Sequence, residues 1–222
     1  MSQGIRVKVW GDYALFSRPE FKTERASYEV LTPSAARGIL EAIHWKPAIR
    51  WMIDRIHVRK PIRFETIRRN EVAGKAPYTL ARRAARDEAI MPYLVVEDDR
   101  QQRAALVLRE VEYIIEAHFE MTGQVGPGDN PGKHLDMARR RIERGQCAYQ
   151  PSLGTREFTA FFGPVEPEES AVTPEALQGE RDLGWMLHDI DFADGMTPHF
   201  FHAVLRDGVL DVPLFTSGRA VS

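Results

Sequence analysis

The hydrophobic period of this sequence switches between that of a strand and that of a helix in a fixed order, and that order restricts the fold more than any other feature. Ile5, Val7 and Val9 alternate with Arg6, Lys8 and Trp10, which predicts a strand over 5–10 ended by Gly11-Asp12. Thr32-Pro33 marks a helix start, because Thr caps and Pro at the first helical position loses no hydrogen bond. Ile39, Leu40 and Ile43 share the inner face of that helix, which runs to about His44 before Pro47 stops it. Gly38 within it costs about 1 kcal/mol relative to Ala, pointing to close packing on a sheet or close approach of a ligand. A long strand follows from Ile49 to Arg59, with Pro61 near its end. Gln102 to Met121 is a second long β-like run, with Val107, Val111, Tyr113 and Ile115 in alternation. A helix of about 133–144, closed by Gly145, and a strand from Arg156 to Phe162 complete the series.

The resulting β-α-β-β-α-β order predicts an α+β, ferredoxin-like (RRM-like) domain over 1–163, a four-stranded antiparallel sheet with two helices on one face. Residues 65–90 lose the apolar pattern and turn basic, so the segment of about 60–100 reads as a projecting hairpin or loop inserted in that domain. After Pro164 an acidic, Pro-containing linker leads to three short apolar runs, with Asp207-Gly208 as a hairpin signal. Residues 164–222 therefore read as a small antiparallel β-rich C-terminal unit.

A formal net charge of −2 conceals a marked asymmetry. Between Arg55 and Arg86 stand ten basic residues against Glu65 and Glu71, whereas from Glu157 to Asp211 twelve acidic residues face Arg181 and Arg206. A positive region of this density suits a polyanion even on a near-neutral protein. The lone cysteine, Cys147, rules out an intramolecular disulfide and a Cys-based zinc site, and fits a reducing cytoplasmic setting. No apolar run approaches the roughly eighteen residues of a membrane span, so no membrane partner is expected.

The chemistry concentrates in Gly126-Pro127-Gly128-Asp129-Asn130-Pro131-Gly132-Lys133-His134, a loop that opens into a basic helix. Unpaired amides at a helix start attract anions, a lysine adds a point charge, and a histidine moves a proton near neutrality. The segment is no nucleoside-triphosphate loop: that pattern requires a Gly at Pro127 and Ser or Thr at His134. A second candidate, His44-Trp45-Lys46-Pro47, lies at the end of the first helix. If the two helices run antiparallel on the sheet, His44 approaches Lys133 and His134. Two histidines and a lysine suffice for RNA cleavage by the ribose 2′-OH without metal, giving a 2′,3′-cyclic phosphate and a 5′-OH. Trp45 reads more readily as core than as a base-stacking platform. His57 and His118, on strands, read as structural or surface residues.

Gly11-Asp12-Tyr13-Ala14-Leu15-Phe16, Ser27-Tyr28-Glu29-Val30, Thr32-Pro33-Ser34-Ala35-Ala36-Arg37-Gly38, Glu41-Ala42-Ile43-His44-Trp45-Lys46-Pro47, Gly132-Lys133-His134 and Leu153-Gly154-Thr155-Arg156-Glu157-Phe158 together resemble the fifth family of CRISPR-associated proteins, in its type I-C (Dvulg) variety within the repeat-associated (RAMP) superfamily. The resemblance implies an endoribonuclease that cuts the CRISPR repeat transcript beside its hairpin. It implies no metal and no cofactor. The protein is then expected to stay on the 5′ handle as a subunit of the type I-C interference complex, in antiviral defence. Carried over residue by residue, the catalytic set is His44, Lys133 and His134; His44 departs from the family, where a tyrosine often stands. The RNA-binding set comprises Arg18, Lys22, Arg25, Arg37, Lys46, Arg68, Arg69, Arg82, Arg83, Arg139, Arg140 and Arg156. Two alternatives stay open: a non-catalytic RNA-binding scaffold of the same fold, and a metal-dependent nonspecific DNase.

Overall fold

In a computed structural model, which describes residues 4–21, 24–74, 78–87, 91, 93, 95, 97–166, 174–192 and 194–214, the elements run β1 (Gly4–Ala14), β2 (Arg25–Ala26), α1 (Pro33–Ile43), β3 (Ile49–Val58), β4 (Phe64–Val72), α2 (Tyr78–Ala84), β5 (Arg100–Met121), α3 (Pro131–Glu143), β6 (Phe161–Gly163), β7 (Glu180–Asp191), β8 (Thr197–Arg206) and β9 (Val209–Asp211). The first part of the sheet has the order β6-β1-β5-β3, the antiparallel arrangement expected of a ferredoxin-like domain. Ile5, Val7 and Val9 of β1, Tyr113, Ile115 and Ala117 of β5, and Trp51, Ile56 and Val58 of β3 are buried in the core with Ile39, Leu40 and Ile43 of α1 and Ala138 and Ile142 of α3. Period-two patterns in β1 and β5 and period-3.6 patterns in α1 and α3 thus bury one face of each, while a bulge between Ile53 and Arg55 of β3 switches its buried face from Trp51 to Ile56 and Val58.

β5 is 22 residues long, which at about 3.3 Å per residue exceeds the width of one small sheet. Its second half pairs with β1 and β3, and its first half with β4. The partners of β5 change from Tyr113↔Val58 to Leu108↔Phe64, so β3 and β4 lie end to end along one edge. Lys60-Pro61 interrupts that line of pairing, since proline has no N–H for the ladder. The outcome is the projecting basic hairpin expected from the sequence, with α2 near its tip.

β1 continues through Gly11-Asp12 to Ala14 rather than stopping there. Gly11 pairs with Val111, and a Cβ on it would lie 2.5 Å from Leu153 Cδ1, so this glycine serves close packing inside a strand instead of a turn. The strand expected over Arg156–Phe162 is reduced to Phe161–Gly163, because residues before it curl into a turn in which Phe158 N–H donates to Thr155 O. Gly154 (φ +89°) allows the curl, and a Cβ there would sit 2.0 Å from Leu15 O. Gly38 packs against nothing: no atom lies within 4 Å of where its Cβ would be, which corrects the expectation of close packing on the sheet.

β7, β8 and β9 form the β-rich tail, with Asp207 (φ 47°) and Gly208 (φ 76°) in the left-handed conformations that a tight hairpin demands. β9 pairs with β3 through Ile56↔Leu210, so the tail extends the same sheet in the order β3-β9-β8-β7, and Leu183, Met186, Phe201 and Leu205 join the same core. No helix among the described residues is long and apolar enough to cross a membrane.

Candidate active site

α1 ends because His44 adopts an extended backbone (φ −149°, ψ 115°) while its N–H still donates to Leu40 O at 2.8 Å. Its carbonyl accepts the indole N–H of Trp51 at 2.7 Å. Trp51 is buried on β3 and packs edge-on against Phe119 at 5.3 Å, and Phe119 in turn meets the ring of His134 edge-on at 6.2 Å. The sheet therefore positions both imidazoles through one aromatic chain.

α3 starts at Pro131, two residues before the expected position, because Asn130 Oδ1 accepts the N–H of Lys133 at 2.9 Å and Pro131 fits the first helical position. Pro131 has no N–H and the Lys133 N–H is taken by the cap, so the amide array expected to hold an anion is depleted. The anion-binding capacity rests instead on side chains. Lys133 is half exposed, with Nζ 3.4 Å from Gly128 O and 3.7 Å from Asp129 Oδ1.

His44 Nε2 lies 3.2 Å from His134 Nδ1, and the two side chains are 1% and 2% exposed. Burial, followed by the positive charge of Arg141 and then by His134 and Lys46, lowers the His44 pKa from 6.5 to about 4. The guanidinium of Arg141 is placed there by its hydrogen bond to Ile43 O, at the carbonyl end of α1. His134 Nε2 faces Asp129 Oδ1 at 3.5 Å, and Asp129 Oδ2 accepts the N–H of Gly126 at 3.1 Å. The contact takes one hydrogen, carried by either ring, and the carboxylate beside Nε2 favours the tautomer in which His134 bears its hydrogen on Nε2 and Nδ1 accepts from His44 Nε2–H. The arrangement is a proton-bearing imidazole with a lysine beside it, held by a second imidazole from below and covered by an aspartate.

Asp129, Arg141 and Trp51 belong to this site without standing out in the sequence as members of it. Asp129 lies four residues before Lys133, the i,i+4 spacing of a helical ion pair, which is a usable signal. Arg141 is hidden in an arginine run, and nothing in the sequence pairs Trp51 with His44.

The twelve expected RNA-binding residues divide by location. Arg68, Arg82 and Arg83 are exposed on the hairpin, Lys46 is exposed beside His44, Arg140 on α3 and Arg156 on the 154–158 turn. Arg69 binds Glu157 at 2.5 Å, Arg25 lies 3.5 Å from Glu71, and Arg139 reaches Gly4 O at 3.5 Å. Arg18 binds Glu29 at 2.7 Å and covers the ring of Tyr28. Arg37 is clamped by Asp189 at 2.7 Å and Glu41 at 2.8 Å; burial opposes its charge, and the two carboxylates outweigh burial and raise its pKa. Lys22 lies outside the described residues. Trp45 is 50% exposed, which corrects the expectation of a core position. His118 hydrogen-bonds Asp54 at 2.8 Å and His57 Nε2 lies 3.1 Å from Glu116, both structural contacts on the sheet. Among the described residues no three His, Cys, Asp or Glu side chains gather as a metal-ligand set.

A family profile described as "CRISPR-associated protein (Cas_Cas5)" matches residues 4–213. The chain belongs to the Cas5 family. Two curated relatives of this Cas5-family chain carry the name "CRISPR pre-crRNA endoribonuclease Cas5d". The one from Mannheimia succiniciproducens is 54% identical over 97% of this chain and 97% of its own length, which places the chain in the type I-C branch. The one from Thermus thermophilus is 41% identical over 94% of this chain and 91% of its own. Among solved structures, one described as a CRISPR-associated protein shares the fold with a TM-score of 0.69 at 24% identity, covering 97% of this chain and 93% of that one. A functionally uncharacterized protein from Streptococcus mutans aligns at a TM-score of 0.66 and 25% identity over the same shares.

Proposed function

We propose that this Cas5-family chain is the endoribonuclease that processes precursor CRISPR RNA, cutting each repeat through attack of a ribose 2′-OH and then remaining on the 5′ handle within the type I-C interference complex. The observation that carries the reading is the 3.2 Å contact between His44 and His134 next to Lys133. The names of the two curated relatives support the reaction class.

In the proposed mechanism the scissile phosphate takes the position of Asp129 Oδ1, within reach of both Lys133 Nζ and His134 Nε2. Lys133 neutralises the charge that grows on the phosphorane oxygens. His134, as the imidazolium, gives its Nε2 proton to the 5′ oxygen as the P–O5′ bond breaks, while the 2′ oxygen bonds phosphorus and releases its proton to solvent, which restores the imidazolium. His44 acts through His134, fixing its tautomer and ring plane, and is a positioning residue. None of these steps calls on a metal ion. The basic hairpin carrying Arg68, Arg82 and Arg83 grips the repeat stem by its phosphates, a contact governed by shape because side chains read little from the deep groove of A-form RNA.

The test is labelled repeat RNA incubated with the purified chain in EDTA, followed by analysis of product ends. A single cut leaving a 2′,3′-cyclic phosphate and a 5′-OH is expected, and a 2′-deoxy sugar at the cut abolishes it with binding retained. Binding without any cut supports the scaffold reading instead.

A further inference from the structure

Gly38 stands on the outer side of α1 with open space around it, and that space is a groove of about 590 Å³. One wall is the helix, at Ala35, Gly38 and Ala42; the other is the segment of Tyr149 to Arg156. Three observations converge on a ligand there. The second wall is rigid: Ala148 N–H donates to Ala42 O, Leu15 N–H to Leu153 O, and Ala160 N–H to Pro151 O, while Gly154 is pressed on Leu15 so closely that no Cβ would fit. The groove offers a large exposed aromatic ring, Tyr149 (61% exposed), and an exposed cation, Arg156. It also shares α1 with the candidate active site: Ala42, whose carbonyl ties the two walls together, lies two residues before His44 at the C-terminal end of that helix.

We infer that this groove holds an unpaired nucleotide of the RNA next to the phosphate at Lys133 and His134, its base stacked on Tyr149 and its backbone phosphate met by Arg156. The inference rests on the proposed ribonuclease reading and names the part of the substrate that the groove receives. A flat base suits a floor of Gly and Ala, stacking on tyrosine tolerates any base, and a neighbouring arginine supplies the charge complement. The absence of a side chain at Gly38 then has a purpose: it leaves room for the base at a helical position where Ala or Leu would favour the helix more.

Gly38→Leu separates this use from a structural one. The variant is expected to unfold at a temperature equal to or above that of the unchanged chain, yet to bind and cut repeat RNA at least fivefold to 150-fold less well, roughly the range that one stacked base represents. Gly38→Ala, which fits the open space, stays close to the unchanged chain. Tyr149→Ala loses a similar factor and Tyr149→Phe keeps the activity. An abasic nucleotide scanned through the positions flanking the cut weakens binding to the unchanged chain at one position and has no further effect on Tyr149→Ala. Gly38→Leu that folds and cuts normally overturns the inference, as does loss of complex assembly with RNA cleavage intact. Failure of the unchanged chain to cut any repeat RNA strikes the ribonuclease reading itself; in that case loss of RNA binding by Gly38→Leu still upholds the groove, and unaltered binding overturns it.

Discussion

His44 Nε2 and His134 Nδ1 meet at 3.2 Å across 90 positions of sequence, in a contact that excludes water from both rings. One hydrogen fits between the two facing nitrogens, and burial, which lowers the pKa of His44 to about 4, keeps that residue neutral at pH 7. In the proposed mechanism the pair therefore acts as one acid–base unit whose reactive nitrogen is His134 Nε2. His134→Ala or Lys133→Ala is expected to lower single-turnover cleavage about 10²–10⁴-fold with RNA still bound. His44→Phe, which keeps the ring shape and removes one hydrogen bond, is expected to cost about tenfold. Equal losses at positions 44 and 134 in a cleavage time course would contradict the division of roles.

The same burial makes stability depend on pH. The folded state holds His44 neutral down to a pKa of about 4, whereas the unfolded chain protonates it near 6.5. In that window the unfolded state binds the extra proton, so stability falls as pH drops from about 6.5 to 4, by up to roughly 3 kcal/mol. His57 and His188, whose pKa values burial also lowers, contribute in the same direction. The comparison is therefore between the unchanged chain and His44→Tyr in denaturant titrations at pH 7 and pH 5. The variant is expected to lose less stability over that interval, and identical losses would show that position 44 is not the titrating group.

The β6-β1-β5-β3 arrangement and the helices α1 and α3 were legible because Ile5, Val7 and Val9, or Ile39, Leu40 and Ile43, bury a face at a regular period, and a period is a local property, whereas α2, which buries no residue, was not. The approach of His44 to the 133–134 pair was expected only if the two helices run antiparallel, and the contact of His44 with His134 bears that approach out. Contacts made by single long side chains were not legible. Arg37 resembles a phosphate ligand in sequence, but its carboxylate partner Asp189 comes from β7, 152 positions away. Glycines were only partly legible: for Gly38 the open space removes close packing on the sheet and leaves the alternative of a ligand's approach. Gly11 has the sequence setting of a turn and is a close-packed strand residue, while Gly38 has the setting of a packing site and faces a groove. A glycine reports that a side chain is absent, and only the surroundings give the reason.

Arginines of the hairpin and of the core are expected to respond differently to salt. Replacing Arg68, Arg82 and Arg83 with Ala removes exposed charges, so RNA affinity falls and the slope of log K against log salt shrinks by about 0.7–0.9 for each phosphate that is no longer neutralised. Arg37→Ala leaves Asp189 and Glu41 without their partner, so it destabilises the fold by about 1–3 kcal/mol and leaves that slope unchanged. Filter-binding series from 50 to 300 mM salt, roughly the range in which counterion release is read, distinguish the two. A reduced slope for Arg37→Ala would move it back among the RNA-binding residues.

Asp129 stands where the phosphate is proposed to go, 3.5 Å from His134 Nε2 and 3.7 Å from Lys133 Nζ. A carboxylate in that position imitates the substrate's charge and must yield before RNA reaches the imidazole. In the proposed mechanism it also favours a proton on Nε2, so its removal acts on binding and on chemistry in opposite directions. Asp129→Asn deletes one negative charge at nearly constant shape. RNA is expected to bind several-fold tighter at low salt, where charge repulsion is least screened, and the advantage fades as the Debye length shortens to about 8 Å near physiological ionic strength. Cleavage of bound RNA is expected to slow by about tenfold, because an amide orients the imidazole less strongly than a carboxylate does. Equilibrium binding to a 2′-deoxy substrate measures the first effect, and single-turnover rates at saturating protein measure the second. Weaker binding by Asp129→Asn would show that the carboxylate is a scaffold for the 126–130 loop and no stand-in for phosphate.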